Sequence, residues 1–455
     1  MNDHMHSRRK VAGHAVRSGL TALALVMLLA SCSKSGETPE TAKAGDTPEA
    51  AKKAAVEPKA PVELVFQDLS GGTEDKFNDN YGNMIRKKFP DYTIKFIRWQ
   101  NGTTLPELIA AKQRVDIAIS SVNTIMQRLN GAEYDMTGLL KSHNVDLSAF
   151  EIPVMDGIRQ MFDGKMYALP ITQIKQAMFY NKGLFNKFGV PFPKNGMTWA
   201  ETAELAKKMT RNDGGQAIFG FVASPLHVLS SNQLSKPYLD QKTMKPTFLD
   251  TEWQQLYQAY FLAFGSDQAL KNRTVELKRL PYRQEFTNTQ EIAMFAFNSQ
   301  FPFDNPEDIA LIDWDLVSLP TLASMPNTGS QSLPVTVAIT SMAQNKDAAM
   351  EVIKAITSED MQGDYSKKGV IPILRSDAMK KIFAAETVYK DKNWQAVFYN
   401  PFAKLSFKSN YDAQIQQFAQ DTARDLISGA VPDLNTALRQ LNEKTEKYAE
   451  AETKK

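Results

Sequence analysis

Cysteine and histidine are scarce in this chain. The sequence has one cysteine, Cys32, in 455 residues. A single thiol cannot form an internal disulfide, so no disulfide framework holds the fold together. Of the five histidines, only His143 and His227 lie beyond the first 14 residues. Two separated histidines and no second cysteine cannot supply a His/Cys zinc cluster, and we expect no metal site and no cofactor.

The common catalytic motifs are absent as well. The sequence contains no G-x-S-x-G elbow, no Walker loop and no H-E-x-x-H pattern. A glycoside hydrolase needs only two carboxylates, so composition leaves a cell-surface carbohydrate-active enzyme open as an alternative. No local motif isolates such an acid pair, and we therefore predict a protein that is not an enzyme.

Charge of one sign is also lacking. The formal net charge is +2, and the first 31 residues carry a surplus of three positive charges, which leaves −1 for the remainder. A nearly neutral body with scattered acids and bases has no electrostatic footprint for nucleic acid, and that partner class is excluded. The length instead suits two lobes of about 150–200 residues each.

The N-terminal apolar run is too short for a permanent membrane span. Leu20 to Ala30 follows a basic stretch that ends at Arg17, and its 11 residues suit the apolar part of a secretory signal. The run leads into L-A-S-C, ending at Cys32, which resembles the lipobox of bacterial lipoproteins. Residues 1–31 are predicted to be the signal peptide. The resemblance implies lipidation of Cys32, and a chance cysteine after an ordinary signal is the alternative.

Residues 32–60 are predicted to be a lipidated, flexible tether. Ser, Gly, Glu, Thr, Pro, Ala and Lys dominate, and no large aliphatic or aromatic residue appears before Val56. Such a segment cannot bury enough surface to offset its chain entropy. We expect the body to be anchored by lipid at the outer face of the cell membrane, in an extracellular or periplasmic position.

Strands and helices alternate from Pro61 onward. Val62, Leu64 and Phe66 alternate with polar residues as in a strand, and a helical spacing of apolar residues follows. Two more strand–helix units predict a parallel α/β lobe, whose ligands lie beyond the carboxyl ends of the strands. The candidate ligand contacts at those ends are Ser70, Gly71, Trp99 and Asn123. Two alternatives remain open: Trp99 packs within the lobe, and Asn123 caps a helix.

The middle of the chain carries a family resemblance. Together, in the correct order over residues 62–450, its motifs are similar to those of family 1 extracellular solute-binding proteins. The motifs are Gly164–Pro170 (G-K-M-Y-A-L-P), Met178–Phe185 (M-F-Y-N-K-G-L-F), Gly189–Pro193 (G-V-P-F-P), Met197–Trp199 (M-T-W), Ala293–Phe295 (A-M-F), Asp313–Asp315 (D-W-D) and Gly369–Pro372 (G-V-I-P).

The resemblance implies a two-lobed, periplasmic-binding-protein-like α/β fold of class II type, with hinge strands between the lobes. It places residues 62–172 and 336–371 in the N-terminal lobe, and 173–335 and 372–455 in the C-terminal lobe. A ligand held between the lobes stabilises the closed arrangement, because only contacts to both lobes shift the population towards it.

The resemblance also suggests ligand contacts by position. Asn123 matches a position that often bonds sugar hydroxyls, and Asn298, Gln300 and Phe301 fall where relatives carry Asn-Gly-x-Trp. Phe301 stands where those relatives carry the tryptophan, and a stacking platform at Phe301 is the corresponding expectation. Gln173 and Gln176 occupy the hinge, where sugar-binding relatives have a carboxylate. His227 is a further candidate for the cleft lining.

The resulting hypothesis is solute capture for transport. The protein is predicted to be a monomer that binds a small solute, most simply an oligosaccharide, by lobe closure and delivers it to the permease subunits of an ABC importer. The alternatives are a non-sugar solute such as a polyamine, phosphate ester or peptide, a co-sensor that presents ligand to a histidine kinase, and the surface enzyme named above.

Overall fold

The structure is a computed structural model that describes residues 61–129, 131–264 and 267–454. The predicted signal peptide, the tether and Cys32 lie outside the described residues. In the part of the chain that is described, no helix combines the length and the apolar character needed to cross a membrane.

Within these residues, eleven strands form two sheets. They are β1 Val62–Asp68, β2 Tyr92–Arg98, β3 Ile117–Ser121, β4 Leu169–Ile174, β5 Gln176–Asn181, β6 Arg211–Asp213, β7 Gln216–Ala223, β8 Ile292–Asn298, β9 Trp314–Ser318, β10 Leu333–Ile339 and β11 Ile371–Pro372. The first sheet has the order β11-β4-β10-β3-β1-β2 and the second has the order β6-β7-β8-β5-β9. Strands β1, β2 and β3 run parallel, whereas β10 and β11 run antiparallel to β4.

Helices cover both sheets. They are α1 Glu74–Phe77, α2 Asn83–Lys88, α3 Leu105–Ala110, α4 Val122–Arg128, α5 Thr137–Ser142, α6 Ile152–Met161, α7 Lys182–Phe188, α8 Trp199–Met209, α9 Pro225–Ser230, α10 Thr251–Tyr257, α11 Gln268–Leu277, α12 Arg283–Thr287, α13 Phe301–Asp304, α14 Pro306–Ile309, α15 Lys346–Ile356, α16 Glu359–Lys367, α17 Asp377–Lys381, α18 Gln395–Tyr399, α19 Asp412–Ser428 and α20 Leu434–Thr453. A π-helical turn, Asn78–Gly82, joins α1 to α2.

Each sheet is covered on both faces, as the period-two pattern of a buried strand requires. In β3, Ile117 and Ile119 belong to one core of the first sheet and Ala118 belongs to the core on its opposite face. In β5, Met178 and Phe179 likewise enter separate cores of the second sheet. Two α/β layers result, one around each sheet, which confirms the predicted two-lobed fold. We call the layer around the first sheet the first lobe and the layer around the second sheet the second lobe.

The chain passes between the sheets several times. Only Lys175 separates β4 of the first sheet from β5 of the second. After β11, Met379 still belongs to a core of the first sheet, whereas Phe383 belongs to a core of the second. The lobe boundaries that the resemblance implies stay a prediction. The resemblance places the last passage from the first lobe to the second between residues 371 and 372, whereas the position of Met379 favours a later passage. Leu405 then returns to the core of the first lobe.

Candidate functional site

A cavity of about 640 Å³ lies between the two lobes. Its lining comes from the stretches 79–87, 172–174, 300–304 and 364–370 and from Val335. The lining residues of the first lobe come from 79–87, 172–174 and 364–370 and from Val335. Residues 300–304 follow β8 and belong to the second lobe. The cavity is therefore a cleft with one wall from each lobe, and its floor is the end of β4 next to the one-residue connection between the sheets.

Gln173 ties the floor of the cleft together. Its Nε2 donates to the Pro372 carbonyl oxygen at 2.8 Å, and the Ser332 hydroxyl donates to its Oε1 at 3.1 Å. The Gln300 Nε2 donates to the Gln173 carbonyl oxygen at 3.3 Å. Gln173 and Gln300 both line the cleft, although the side-chain amide of Gln173 is already bonded to Pro372 and Ser332. Ligand contact by either residue stays a prediction.

Gln176 begins β5 on the second-lobe side of the connection. Its Nε2 donates to the His227 carbonyl oxygen at 2.6 Å, and its backbone NH donates to the Ser330 hydroxyl at 3.1 Å. Its Oε1 is buried and has no hydrogen-bond partner among the described residues. Gln176 is paired in the ladder with Asn298, which is half-buried at the end of β8. The pair lies next to the cleft without lining the 640 Å³ cavity.

Two tyrosines form the wall on the first-lobe side. The ring centroids of Tyr81 and Tyr365 lie 6.3 Å apart in an edge-to-face arrangement, and the Tyr365 hydroxyl donates to the Asn80 carbonyl oxygen at 3.1 Å. Burial raises the pKa of Tyr81 above its usual range, the Asp68 carboxylate adds to that shift, and a hydrogen bond with Thr172 opposes it. Both phenols are thus protonated at physiological pH and present an aromatic and hydrogen-bonding surface.

The wall on the second-lobe side is formed by α13. Phe303 stacks on Trp394, with 5.1 Å between ring centroids, and lies against Gly369 of the first lobe. A Cβ on Gly369 would approach the Phe303 Cζ to 2.2 Å, and the φ of Gly369 is +82°, so two separate constraints require glycine there. This contact joins the two lobes at the rim of the cleft.

Asp304 is the last residue of α13 and lines the cleft. Burial raises the pKa of its carboxyl although the side chain stays accessible from the cleft, and Lys76 and Arg283 oppose the shift. No side-chain hydrogen bond or ion pair of Asp304 exists within the described ranges, because the Arg283 Nη1 donates to Asn305 Oδ1 at 2.5 Å instead.

The predicted contacts at the strand ends of the first lobe form a separate group. The hydroxyls of Ser70 and Ser120 lie 2.6 Å apart, and Gly71 has a φ of +84°. Trp99 is half-buried, and the Arg128 guanidinium covers one face of its indole at 3.7 Å from the ring centroid. Neither Ser70, Gly71 nor Trp99 lines the 640 Å³ cavity. Their role in ligand contact stays a prediction.

Asn123 lies in the first turn of α4. Ser121, not Asn123, caps that helix, because its hydroxyl accepts from the Thr124 backbone NH at 3.4 Å. The Asn123 Oδ1 is buried and lacks a hydrogen-bond partner among the residues described. A buried acceptor without a donor is energetically costly. Asn123 does not line the 640 Å³ cavity, and its contact with a ligand stays a prediction.

His227 is held in the second lobe as a neutral imidazole. Its Nδ1 lies 2.7 Å from the Ser224 hydroxyl, and its ring meets Phe297 edge-on at 4.6 Å between centroids. Burial lowers the pKa of His227 to about 4, and Arg283 adds to the shift. His227 therefore carries no charge at neutral pH and cannot attract an anionic ligand.

Phe301 does not provide a stacking platform. Its side chain is 1% exposed and packs edge-to-face on Phe179 and Phe297, with centroid distances of 5.7 and 5.3 Å. That prediction was wrong because the first turn of α13 directs Phe301 into the core of the second lobe. Phe303, two residues later, lines the cleft in its place. The F-P-F spacing offered two rings, and their positions in the fold decide which one faces the ligand.

Metal binding finds no support in the described ranges, where no group of three or more His, Cys, Asp or Glu side chains could hold an ion. The cleft offers hydroxyls, amides, carboxylates, aromatic rings and the amines of Lys87 and Lys368. That chemistry suits reversible hydrogen bonding to a polar solute.

The family comparison decides the identity. The family described as bacterial extracellular solute-binding protein matches residues 68–363. The chain belongs to this family. The matched region contains the whole second sheet, four of the six strands of the first sheet (β2, β3, β4 and β10) and most of the residues that line the cleft. No match was found among curated proteins.

Solved structures support the fold of this solute-binding protein. The ABC substrate-binding protein from Listeria monocytogenes in complex with cycloalternan has a TM-score of 0.65 and 17% identity, covering 86% of this chain and 99% of that one. The cyclic alpha-maltosyl-1,6-maltose binding protein from Arthrobacter globiformis has a TM-score of 0.64 and 16% identity, over 86% and 99%. The sugar-binding protein MalE from the phytopathogen Xanthomonas citri has a TM-score of 0.63 and 16% identity, over 86% and 98%.

Proposed function

We propose that this solute-binding protein captures an oligosaccharide in the cleft by closure of its two lobes and delivers it to the permease of an ABC importer. The observation that carries the proposal is the 640 Å³ cleft with one wall from each lobe. A ligand that contacts both walls stabilises the closed arrangement, and contacts to one wall alone would not do so.

The cleft chemistry favours a carbohydrate. Tyr81, Tyr365 and Phe303 offer aromatic edges and faces, and Gln300 and Asp304 offer amide and carboxylate groups at the same cavity. Sugars present apolar ring faces and many hydroxyls, which require this mixture of partners. The ligands named for the Listeria and Arthrobacter structures, both cyclic oligosaccharides, support the same class.

The remaining parts of the proposal concern location and assembly. Lipidation of Cys32 after removal of residues 1–31 would hold the protein as a monomer at the outer face of the membrane, on the tether of residues 32–60. The extracellular character of the family supports this position. The family's binding role supports a protein without enzymatic activity, and nucleic acid is not a partner.

A ligand panel tests the function. The mature protein is heated with maltotetraose, mannobiose, cycloalternan, spermidine or a tripeptide, and products are analysed in parallel by chromatography. We expect one or more oligosaccharides to raise the melting temperature without being consumed, because a ligand at 100 times its Kd adds about 2.7 kcal/mol to the free energy of unfolding. Stabilisation by spermidine or the tripeptide alone would identify a non-sugar solute, and sugar hydrolysis would identify an enzyme.

A further inference from the structure

Lys175 is a buried amine at the hinge, and the binding of a solute in the cleft makes no use of it. It is the only residue between β4 and β5, and it is 4% exposed. Ile174 lines the cleft, whereas Lys175 does not. Because successive side chains of an extended segment point to opposite faces, the Lys175 amine points away from the cleft, towards the back of the hinge.

The second lobe supplies the direct contacts of this amine. The Lys175 Nζ donates to the Asn400 carbonyl oxygen and lies 4.4 Å from the centroid of the Phe402 ring. The Asn400 Nδ2 donates to the Leu319 carbonyl oxygen at 3.5 Å, which ties this segment to the end of β9. A Cβ on Gly329 would approach the Lys175 Cε to 2.8 Å, so the stem of the lysine is closely packed. None of these partners is ionisable, and none of them lines the cleft.

The first lobe faces the same amine with charged side chains. Burial lowers the pKa of Lys175 to about 7, the Glu151 carboxylate at the start of α6 opposes this shift, and Lys380 of α17 reinforces it. Burial also raises the pKa of Glu151, and the neighbouring cations, Arg375 among them, oppose that shift. The amine therefore lies at a boundary between the lobes, with its uncharged wall in the second lobe and its charged neighbours in the first.

This boundary is closely packed in the described arrangement. The segment 400–405 ends at Leu405, whose side chain enters the core of the first lobe. A Cβ on Gly157 of α6 would approach the Leu405 Cβ to 2.5 Å. We call the boundary formed by Glu151, Gly157 and residues 400–405 the back seam. The cleft and the back seam lie on opposite sides of one hinge, so a rotation that narrows the cleft widens the back seam.

Widening of the back seam changes which form of the Lys175 amine is stable. Burial disfavours the ammonium form, and water that enters the seam removes that penalty. The Glu151 carboxylate favours the ammonium form in the packed seam already. A lysine that reaches water returns towards its ordinary, much higher pKa. Closure of the cleft therefore promotes protonation of this amine.

We propose that Lys175 couples lobe closure to proton uptake: its amine is neutral while the back seam is packed, and it takes one proton from the solvent when closure on a solute widens the seam. The proton binds the lone pair of Nζ, and no other bond changes. The inference rests on the proposed function, since a bound oligosaccharide drives the closure. Because the solute-bound state holds more protons, the affinity falls as the pH rises above about 7, and below that pH both states hold the proton.

Calorimetric titration in two buffers tests the inference. At pH 8, maltotetraose, mannobiose and cycloalternan are titrated into the mature protein in phosphate and in Tris, two buffers whose heats of ionisation differ, and the difference in binding heat gives the number of protons taken up. Lys175→Met removes the amine and keeps the apolar stem. Lys207→Met is the matched control, because Lys207 is an exposed lysine of α8 that does not line the cleft. Near-ultraviolet circular dichroism verifies the folded state of each variant.

We expect the wild type and Lys207→Met to take up about 0.4–0.8 proton per sugar bound at pH 8, and to bind with a Kd about 5- to 30-fold higher at pH 9 than at pH 7. Lys175→Met should take up no proton and keep its Kd within about twofold over this range; if it does not fold, Lys175→Gln replaces it. No uptake by the wild type, proton release, or equal uptake by the Lys175 variant overturns the inference and leaves the proposed function standing. If the wild type binds none of the three sugars, both fail.

Discussion

Lys175 provides a strong test of how the two lobes are joined. It is the single residue between β4 and β5, it is 4% exposed, and its Nζ donates to the Asn400 carbonyl oxygen. The amine also lies 4.4 Å from the centroid of the Phe402 ring. Burial lowers the pKa of Lys175 to about 7, Glu151 opposes the shift and Lys380 reinforces it. The perturbation is Lys175→Met, which keeps the apolar stem and removes the amine.

The pKa of Lys175 determines the sign of the effect. The unfolded chain keeps this amine protonated up to about pH 10.4, whereas the folded protein releases the proton near pH 7. Because the unfolded state binds more protons in this window, the free energy of unfolding rises with pH between about 7 and 10, by up to about 1.4 kcal/mol per pH unit. The total cost of the buried amine at pH 7 is about 3–5 kcal/mol.

Removing the amine therefore stabilises the protein at pH 7. Loss of the hydrogen bond to Asn400 costs about 1–3 kcal/mol at either pH. We therefore expect Lys175→Met to be about 2 kcal/mol more stable than wild type at pH 7 and about 1 kcal/mol less stable at pH 10, where the cost of the amine falls below about 1 kcal/mol. Urea denaturation of wild type, Lys175→Met and the exposed control Lys207→Met at pH 7, 8.5 and 10 measures the difference. Equal pH slopes for wild type and Lys175→Met would refute a buried hinge lysine whose pKa is lowered to about 7.

Three further outcomes follow from named contacts. Gly369→Ala brings a Cβ to 2.2 Å from Phe303 at a φ of +82°, and it should raise the Kd for sugar by about 5- to 30-fold in calorimetry. The control Gly363→Ala, whose Cβ meets nothing within 4 Å, should leave the Kd unchanged. Equal Kd values for the two variants would contradict contact between the lobes at the rim of the cleft. Leu405→Ala should lower the free energy of unfolding by about 2–5 kcal/mol in urea denaturation, because Leu405 is buried in the core of the first lobe. A loss under about 1 kcal/mol would show that the Leu405 side chain does not pack in that core. Cys32→Ser should move the protein from the membrane fraction to the soluble fraction, and continued membrane retention would argue against lipidation.

The architecture was largely predictable from the sequence because local pattern and buried faces agree. The alternation of Val62, Leu64 and Phe66 predicted β1, which spans Val62–Asp68. The length suited two lobes, and the family resemblance that the motifs carry implied them. These features depend on residues close in sequence, where period and turn chemistry are informative.

The composition of the cleft was less predictable. Tyr81 lies in a π-helical turn that shifts side chains around the helix axis, and no sequence period indicates such a turn. Phe301 and Phe303 are two residues apart, and only the tertiary packing of α13 sends the first into the core and the second to the cleft. Asp304 resembled any other surface carboxylate until the fold placed it near the hinge, with Arg283 bonded to its neighbour.

Small-angle X-ray scattering of the mature protein with and without a saturating neutral oligosaccharide tests lobe closure most directly. If the ligand bridges the two walls of the cleft, the radius of gyration should decrease on binding. A saturated complex, verified by calorimetry, whose scattering curve matched that of the free protein would contradict capture by closure.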